Sequence, residues 1–402
     1  MPTTTTTTKQ GWQKLKLGEV CAINMGQSPK SIFYNEKEIG LPFLQGVTEF
    51  GDMYPKIKQY TSKSTKIAQN GDILFSVRAP VGDVNYAPFE CCIGRGLCGI
   101  KSIKEKSNQK YIYYYLKQNK QEFINSSNGA IYDSINKDTL LNFPILIPSL
   151  SKQKKIAEVL GAYDDLIEVN QKKIKILEEL AQSIYKEWFV KPIQNGIPDG
   201  WEIMNLEQVA DVIKGRSYKS SEIGESGDYF FVNLKCFNRN GGFRHDGIKM
   251  YSGKIKENQY LQTGDIVIAV TDMTQKREIV ARPAQLPILK NKKVTFSCDV
   301  VKIEPQKNNI VDKNYLYYSL RFSDFSNITK NKANGVNVLH LSTKDIEKWD
   351  LVIPTKEIQN KFETIIKSIT NDVNVIVQEN DNLQKTRDLL IPQLVGGRVS
   401  LK

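Results

Sequence analysis

The chain repeats itself, and the repeat limits the folds open to it. Gly11-Trp12 and Gly200-Trp201 each open a stretch that carries the same landmarks in the same order. A Gly-Asp-Ile block comes first, at Gly71-Asp72-Ile73-Leu74-Phe75 and Gly264-Asp265-Ile266-Val267-Ile268. A Tyr-rich segment follows, with Tyr111, Tyr113 and Tyr114 in one half and Tyr315, Tyr317 and Tyr318 in the other. An apolar run then ends in Ile147-Pro148 or Ile353-Pro354, and a long helical pattern closes each half. A single closed architecture does not use every landmark twice. Two copies of one mixed domain, each followed by a helix, do.

The helical patterns carry the duplication furthest. Ile156, Leu160, Tyr163, Ile167, Asn170, Ile174, Leu177, Ala181, Ile184 and Trp188 recur at alternating steps of four and three. That is a heptad seam, flanked by Lys, Glu and Gln. Shifting it by the 206 positions that separate Pro148 from Pro354 gives Phe362, Ile366, Ile369, Val373, Ile376, Asn380, Leu383, Arg387, Leu390 and Leu394. Only Arg387 breaks the apolar-or-Asn rule. Each helix of about 38 residues spans roughly 57 Å. A two-fold relation between the halves predicts an antiparallel pair in which Ile156 meets Leu394, Trp188 meets Phe362 and Asn170 faces Asn380. A buried Asn pair is a device for fixing register, at some cost in stability. The alternative is that both asparagines face solvent at the seam edge. Such a pair would be a rod holding two globular parts apart.

The expected class is α+β, because short β-rich runs (Ile73 to Val77, Cys98 to Ile103, Phe143 to Ile147) alternate with turns and a helix over Lys110 to Phe123, without regular βαβ alternation. The expected organisation is a disordered tail at residues 1–10, a domain over 11–150, a central helix over 151–192, a second domain over 193–355, and a distal helix with its tail over 356–402. Pro392 is expected to shorten or kink the distal helix. The net charge of +12 and pI near 9.1 favour a polyanionic partner, nucleic acid before an anionic membrane. A generally Lys-rich protein is the competing explanation. No apolar run approaches the length of a membrane span. Cys21, Cys91, Cys92, Cys98, Cys236 and Cys298 form no Cys-x-x-Cys pair, and only His245 and His340 are available to complete a site, so no metal is expected. Scattered cysteines read as reduced thiols in a cytoplasm.

Motifs for catalysis are missing. There is no phosphate-binding Gly-x-x-x-x-Gly-Lys loop, no Gly-x-Ser-x-Gly elbow and no His-Glu-x-x-His helix. Gly94-Arg95-Gly96-Leu97-Cys98-Gly99 has the spacing of a dinucleotide fingerprint, but a strand-like run follows it where such a site needs a helix N-terminus. Asn142-Phe143-Pro144 comes nearest to a base-methylation motif, and its place in a repeated strand gives it a packing role. Asp72 and Asp265 read as turn residues, the tyrosines as packing, and Asn128-Gly129 and Asn334-Gly335 as loop breakers. No cofactor is expected. A binding protein is therefore expected, and its candidate ligand is double-stranded DNA. The candidate contacts are Lys30, Gln45, Arg78 and Arg95 in the first half, and Lys214, Arg216, Lys219, Asn233, Lys235, Lys276 and Arg277 in the second. All lie in loops rich in Gly, Ser and aromatics. Gln, Asn and Arg suit base edges, while Lys and Ser suit phosphates. A solvated loop charge is the competing explanation for any one of them.

The whole pattern resembles the specificity subunits of type I restriction-modification systems. The resemblance is carried by the two Gly-Asp-Ile blocks, by Ile145 to Pro148 running into Gln153 and Ile156, by Ala181 to Val190, by Ile197 to Trp201, and by Arg387 to Leu394. Ser149 and Thr355 stand where the family has a second proline. The resemblance implies two target recognition domains, each reading one half of a split asymmetric site. It also implies helices that dock two copies of a DNA adenine methyltransferase subunit, and a restriction and translocase subunit in the full complex, with catalysis left to those partners. Base-reading residues do not transfer, because the recognition domains are the variable part of the family. Two other classes stand as alternatives: a single-chain methyltransferase or nuclease with degenerate motifs, and a coiled-coil scaffold without a DNA role.

Overall fold

A computed structural model describes residues 11–126, 134–289, 291–399 and 401. The Met1 to Gln10 tail and the Asn128-Gly129 pair lie outside the described residues. The chain divides into two compact units, Met1–Val169 with Asn380–Lys402, and Asn170–Glu379.

In the first unit, Trp12–Lys16 pairs antiparallel with Pro144–Pro148, a ribbon that ties the start of the domain to its end. A four-stranded antiparallel sheet follows the order Cys21–Met25, Leu97–Ser102, Ile73–Ser76, Val84–Tyr86. A five-stranded sheet follows the order Tyr34–Asn35, Tyr60–Thr61, Leu41–Leu44, Cys91–Ile93, Ile67–Ala68, with one parallel pair, Phe43 beside Cys92. The second unit repeats these three sheets in the same strand order and adds a short pair, Thr271–Asp272 with Leu339–His340. Its ribbon is Glu202–Asn205 with Asp350–Ile353. Its four-stranded sheet is Ala210–Lys214, Val300–Pro305, Ile266–Ala269, Pro283–Gln285. Its five-stranded sheet is Ile223–Gly224, Lys249–Tyr251, Tyr229–Val232, Lys293–Phe296, Tyr260–Leu261, again with one parallel pair. The expected α+β class and the duplication both hold.

The Gly-Asp-Ile block is a turn feeding a core strand. Gly71 and Gly264 sit at φ 81° and 84°, a conformation natural to glycine. The carboxylates of Asp72 and Asp265 accept the backbone N–H of Gln69 and Gln262, each at 2.8 Å, and close the turn. Ile73 to Ser76 and Ile266 to Ala269 then run fully buried. The Tyr-rich segments are helices, Gln109–Gln118 and Lys313–Phe322, with the named tyrosines inside the cores. The helix expected over Lys110 to Phe123 is divided: Asn119 leaves helical geometry, and a second helix runs Lys120–Asn125.

The long helices are Leu150–Tyr185, continued by a π-helical turn at Lys186–Val190, and Lys356–Leu394. None of the seam positions on either helix is exposed. Within the first unit, Ile156 and Leu160 share a core with Ile391 and Leu394. Within the second, Trp188 and Phe189 pack their rings on Phe362, at 6.4 and 5.0 Å between centroids. In each unit the segments run antiparallel. Pro392 lies inside the last turn, and the helix stops two residues later.

The seam's polar members differ in company. Arg387 is buried to 12% exposure and pairs with Asp164, itself 2% exposed, while Tyr114 donates its hydroxyl to the same carboxylate. Asn170 and Asn380 are both buried, so neither faces solvent, and Asn170 donates to Glu379 Oε2 at 3.0 Å.

Candidate nucleic-acid interface

Four loops of the first unit are tied together by backbone hydrogen bonds. Gly26 N–H donates to Leu97 O, Gln27 N–H to Ile93 O, Gly94 N–H to Leu44 O, and Val77 N–H to Gly96 O, all at 2.8–2.9 Å. Arg95 N–H donates to Ser28 Oγ at 3.2 Å. The approach is close enough to require glycine: a Cβ on Gly26 would lie 2.2 Å from Gly94 O, and one on Gly96 would lie 2.4 Å from Gln45 O. Gln45, Arg78 and Arg95 stand on these tied loops and Lys30 just beyond them, and all four side chains are exposed.

The second unit builds the same frame. Gly215 N–H donates to Val300 O, Arg216 N–H to Phe296 O, Ser297 N–H to Val232 O, and Val270 N–H to Asp299 O, at 2.9–3.2 Å. Matching bond to bond sets Gln27 against Arg216, Gln45 against Asn233, Arg78 against Thr271, and Arg95 against Cys298. The frame is conserved between the halves; the side chains on it are not.

The candidate residues of this half divide into two groups. Lys214, Lys219, Lys235 and Lys276 are exposed. Three others are engaged by the protein. Arg216 Nε donates to the Tyr251 hydroxyl at 2.9 Å, which leaves the other guanidinium nitrogens for a ligand. Asn233 Oδ1 accepts Lys235 N–H at 2.8 Å and caps a short turn. Arg277, at φ 51°, is half-buried and turned inward: Nη2 reaches Ala333 O at 3.4 Å and Nε is buried without a hydrogen-bond partner. In this position Arg277 braces the loop.

Sequence reasoning passed over the residue that shapes that loop. Asp272 is 2% exposed, and its carboxylate accepts four bonds: Thr274 N–H and Oγ1–H on one oxygen, Ile279 and Val280 N–H on the other. Burial pushes its acidity toward the neutral form, but these donors outweigh burial and hold the carboxyl below its ordinary range. An Asp two residues before a Thr is a turn signal; its reach to Ile279 was not visible.

Burial pushes the thiols of Cys21, Cys91 and Cys236 up to about 12. Among the described residues, no group of His, Cys, Asp and Glu is placed to hold a metal ion, and no helix is long and apolar enough to cross a membrane.

The family described as the type I restriction modification DNA specificity domain matches residues 9–179 and again 198–385. The chain belongs to this family. The two matched stretches are the two halves of the duplication, and family membership makes the chain a DNA sequence-specificity component of the type I restriction-modification class. Several relatives come from Methanocaldococcus jannaschii. The protein named the MjaX specificity subunit is 46% identical over 177 residues, a match covering 44% of this chain and 42% of that protein. The MjaVIII specificity subunit is 24% identical over 98% of this chain and 94% of its own length. Among solved structures, the type I restriction-modification S subunit from M. genitalium shares the fold, with a TM-score of 0.56 over 98% of both chains at 17% identity.

Proposed function

We propose that this type I specificity subunit reads a split, asymmetric DNA site with one half-site per recognition domain, over residues 11–150 and 193–355. One observation carries the reading: the two halves share a loop frame bond for bond, yet present different side chains on it. Arg95 answers to Cys298, Gln27 to Arg216 and Arg78 to Thr271. A repeated frame suits two equivalent placements on a duplex, and unequal side chains suit unequal base sequences. Exposed Lys30, Lys214, Lys219, Lys235 and Lys276 are assigned to phosphates. Gln45, Arg78, Arg95 and the free edge of Arg216 are assigned to base edges, with Asn233 shaping its loop. The helices dock two copies of a DNA adenine methyltransferase subunit and set the separation of the half-sites. A restriction and translocase subunit completes the assembly, and the subunit itself carries no catalytic residues.

The test is an exchange of residues 11–150 for the corresponding domain of another family member. Sequencing of methylated adenines in cells that carry the hybrid and its partner is expected to show one half of the site changed and the other kept. A hybrid that changes both halves would refute the modular reading.

A further inference from the structure

The loop that follows Val270 in the second recognition domain is built as a finger cross-linked by hydrogen bonds, and two exposed apolar side chains stand among its polar ones. Thr271–Asp272 pairs antiparallel with Leu339–His340, and Asn334 and His340 exchange backbone bonds at 2.9 and 3.0 Å to close a hairpin. Asp272 pins residues 274 to 280 from inside, as described above. Gln275 Nε2 donates to Val336 O at 2.8 Å and joins the two loops at their ends. Arg277 braces the base against Ala333 O. On this backbone Met273 is 67% exposed and Val336 is 91% exposed. Single exposed apolar residues are ordinary. Here the two stand on segments that are bonded to each other and pinned by a buried carboxylate.

The finger's base belongs to the loop frame: Val270 N–H donates to Asp299 O, and Leu341 N–H donates to Val270 O. It therefore projects from the same frame as Arg216 and Asn233. Charge selects the partner. Lys276 is the exposed cation of the loop, since Arg277 is turned inward, and the Asp272 carboxylate is buried under its four hydrogen bonds. Glu278, next along, is paired with Arg239 at 3.1 Å. An exposed lysine beside apolar side chains, with the nearby carboxylates buried or ion-paired, matches nucleic acid. Side chains that form no hydrogen bonds to base edges have one chemical feature to recognise in the major groove, the C5-methyl group of thymine.

We propose that Met273 and Val336 form an apolar tip that reads thymine C5-methyl groups in the half-site of the second recognition domain, an inference that rests on the DNA-reading role proposed above. The tip selects A·T pairs by methyl burial, beside the hydrogen-bonding residues of the same frame.

The experiment uses the full chain purified with its methyltransferase partner. The site is first defined by sequencing methylated adenines. Competition binding is then measured on duplexes in which each thymine of the second half-site is replaced in turn by deoxyuridine, which lacks only the methyl. One or two replacements are expected to weaken wild-type binding about fourfold, equivalent to about 0.8 kcal/mol of methyl burial. The M273S/V336S variant is expected to bind the unmodified duplex more weakly by a similar factor, to ignore deoxyuridine, and to keep its response to the first half-site. Wild-type indifference to every replacement, or a second half-site without an A·T pair, overturns the proposal. So does a variant that keeps full discrimination. A variant that melts normally but no longer copurifies with the partner assigns the tip to a protein contact and overturns it as well. Wild-type binding with no sequence preference at all would instead refute the specificity reading on which it rests.

Discussion

At the scale of single residues, the sequence exception in the helical seam turns out to be its best-explained member. Arg387 broke the apolar rule, and its reason is Asp164, one position off the opposite seam and so invisible to periodicity. The 206-residue shift places Thr370 and Ala181 at the corresponding positions of the other half, so the charged pair has no counterpart there. Removing one member of a buried pair leaves the other charge without compensation, which costs about 3–5 kcal/mol. Arg387→Ala is expected to destabilise the chain by that order in urea unfolding, and Asp164→Leu with Arg387→Leu is expected to recover most of it. An Arg387→Ala protein as stable as the parent would mean that the pair does not hold the helices. Asp272 supplies a pH test. Its folded pKa is lowered, so its stabilisation is complete above its unfolded pKa and disappears as the pH falls through the lower folded one. Asp272→Asn is therefore expected to lower stability at neutral pH and to narrow its difference from wild type in acid. A constant difference from pH 7 down to pH 2 would remove the carboxylate's charge from the account.

At the scale of elements, legibility followed periodicity. The seams, the Gly-Asp-Ile turns and the Ile-Pro strand ends could be read because backbone geometry and burial repeat at fixed spacings. Loop tips could not, because their side chains are aimed by long-range bonds. Arg277 and Lys276 are neighbours in sequence, yet one is held against Ala333 O and the other is exposed. The junction between strand and long helix shows both cases. Gln153 was noticed as part of a motif, but its task was not. Its buried amide donates to Pro148 O at 2.9 Å and accepts Asn108 N–H at 3.0 Å, so it fastens the long helix to the start of the Tyr-rich helix. Gln359 does the same with Pro354 O and Asp312 N–H, both at 2.9 Å. Truncation would leave buried backbone groups unpaired, at a cost of roughly 1–3 kcal/mol. Gln153→Ala and Gln359→Ala are each expected to lower the melting temperature, and hydrogen exchange is expected to quicken at the first turn of the neighbouring Tyr-rich helix. Unchanged exchange there would show that the clamp is incidental.

At the scale of the whole molecule, duplication assigns separate tasks to separate parts. The loop frame repeats while its side chains diverge, which fits a reader; the helical seam repeats in register, which fits a measure. The two tasks separate under insertion. Seven residues added to each long helix preserve the seam's heptad phase and lengthen each helix by about 10.5 Å. At about 3.4 Å per base pair, that corresponds to roughly three more base pairs between half-sites. Methylation mapping of the lengthened protein is expected to show both half-site sequences intact and the gap between them widened, or the complex unable to assemble when the added DNA twist of roughly a third of a turn cannot be met. An insertion that keeps full activity with an unchanged gap would mean that the helices do not set the spacing, and the length of the repeated seam would then need another cause.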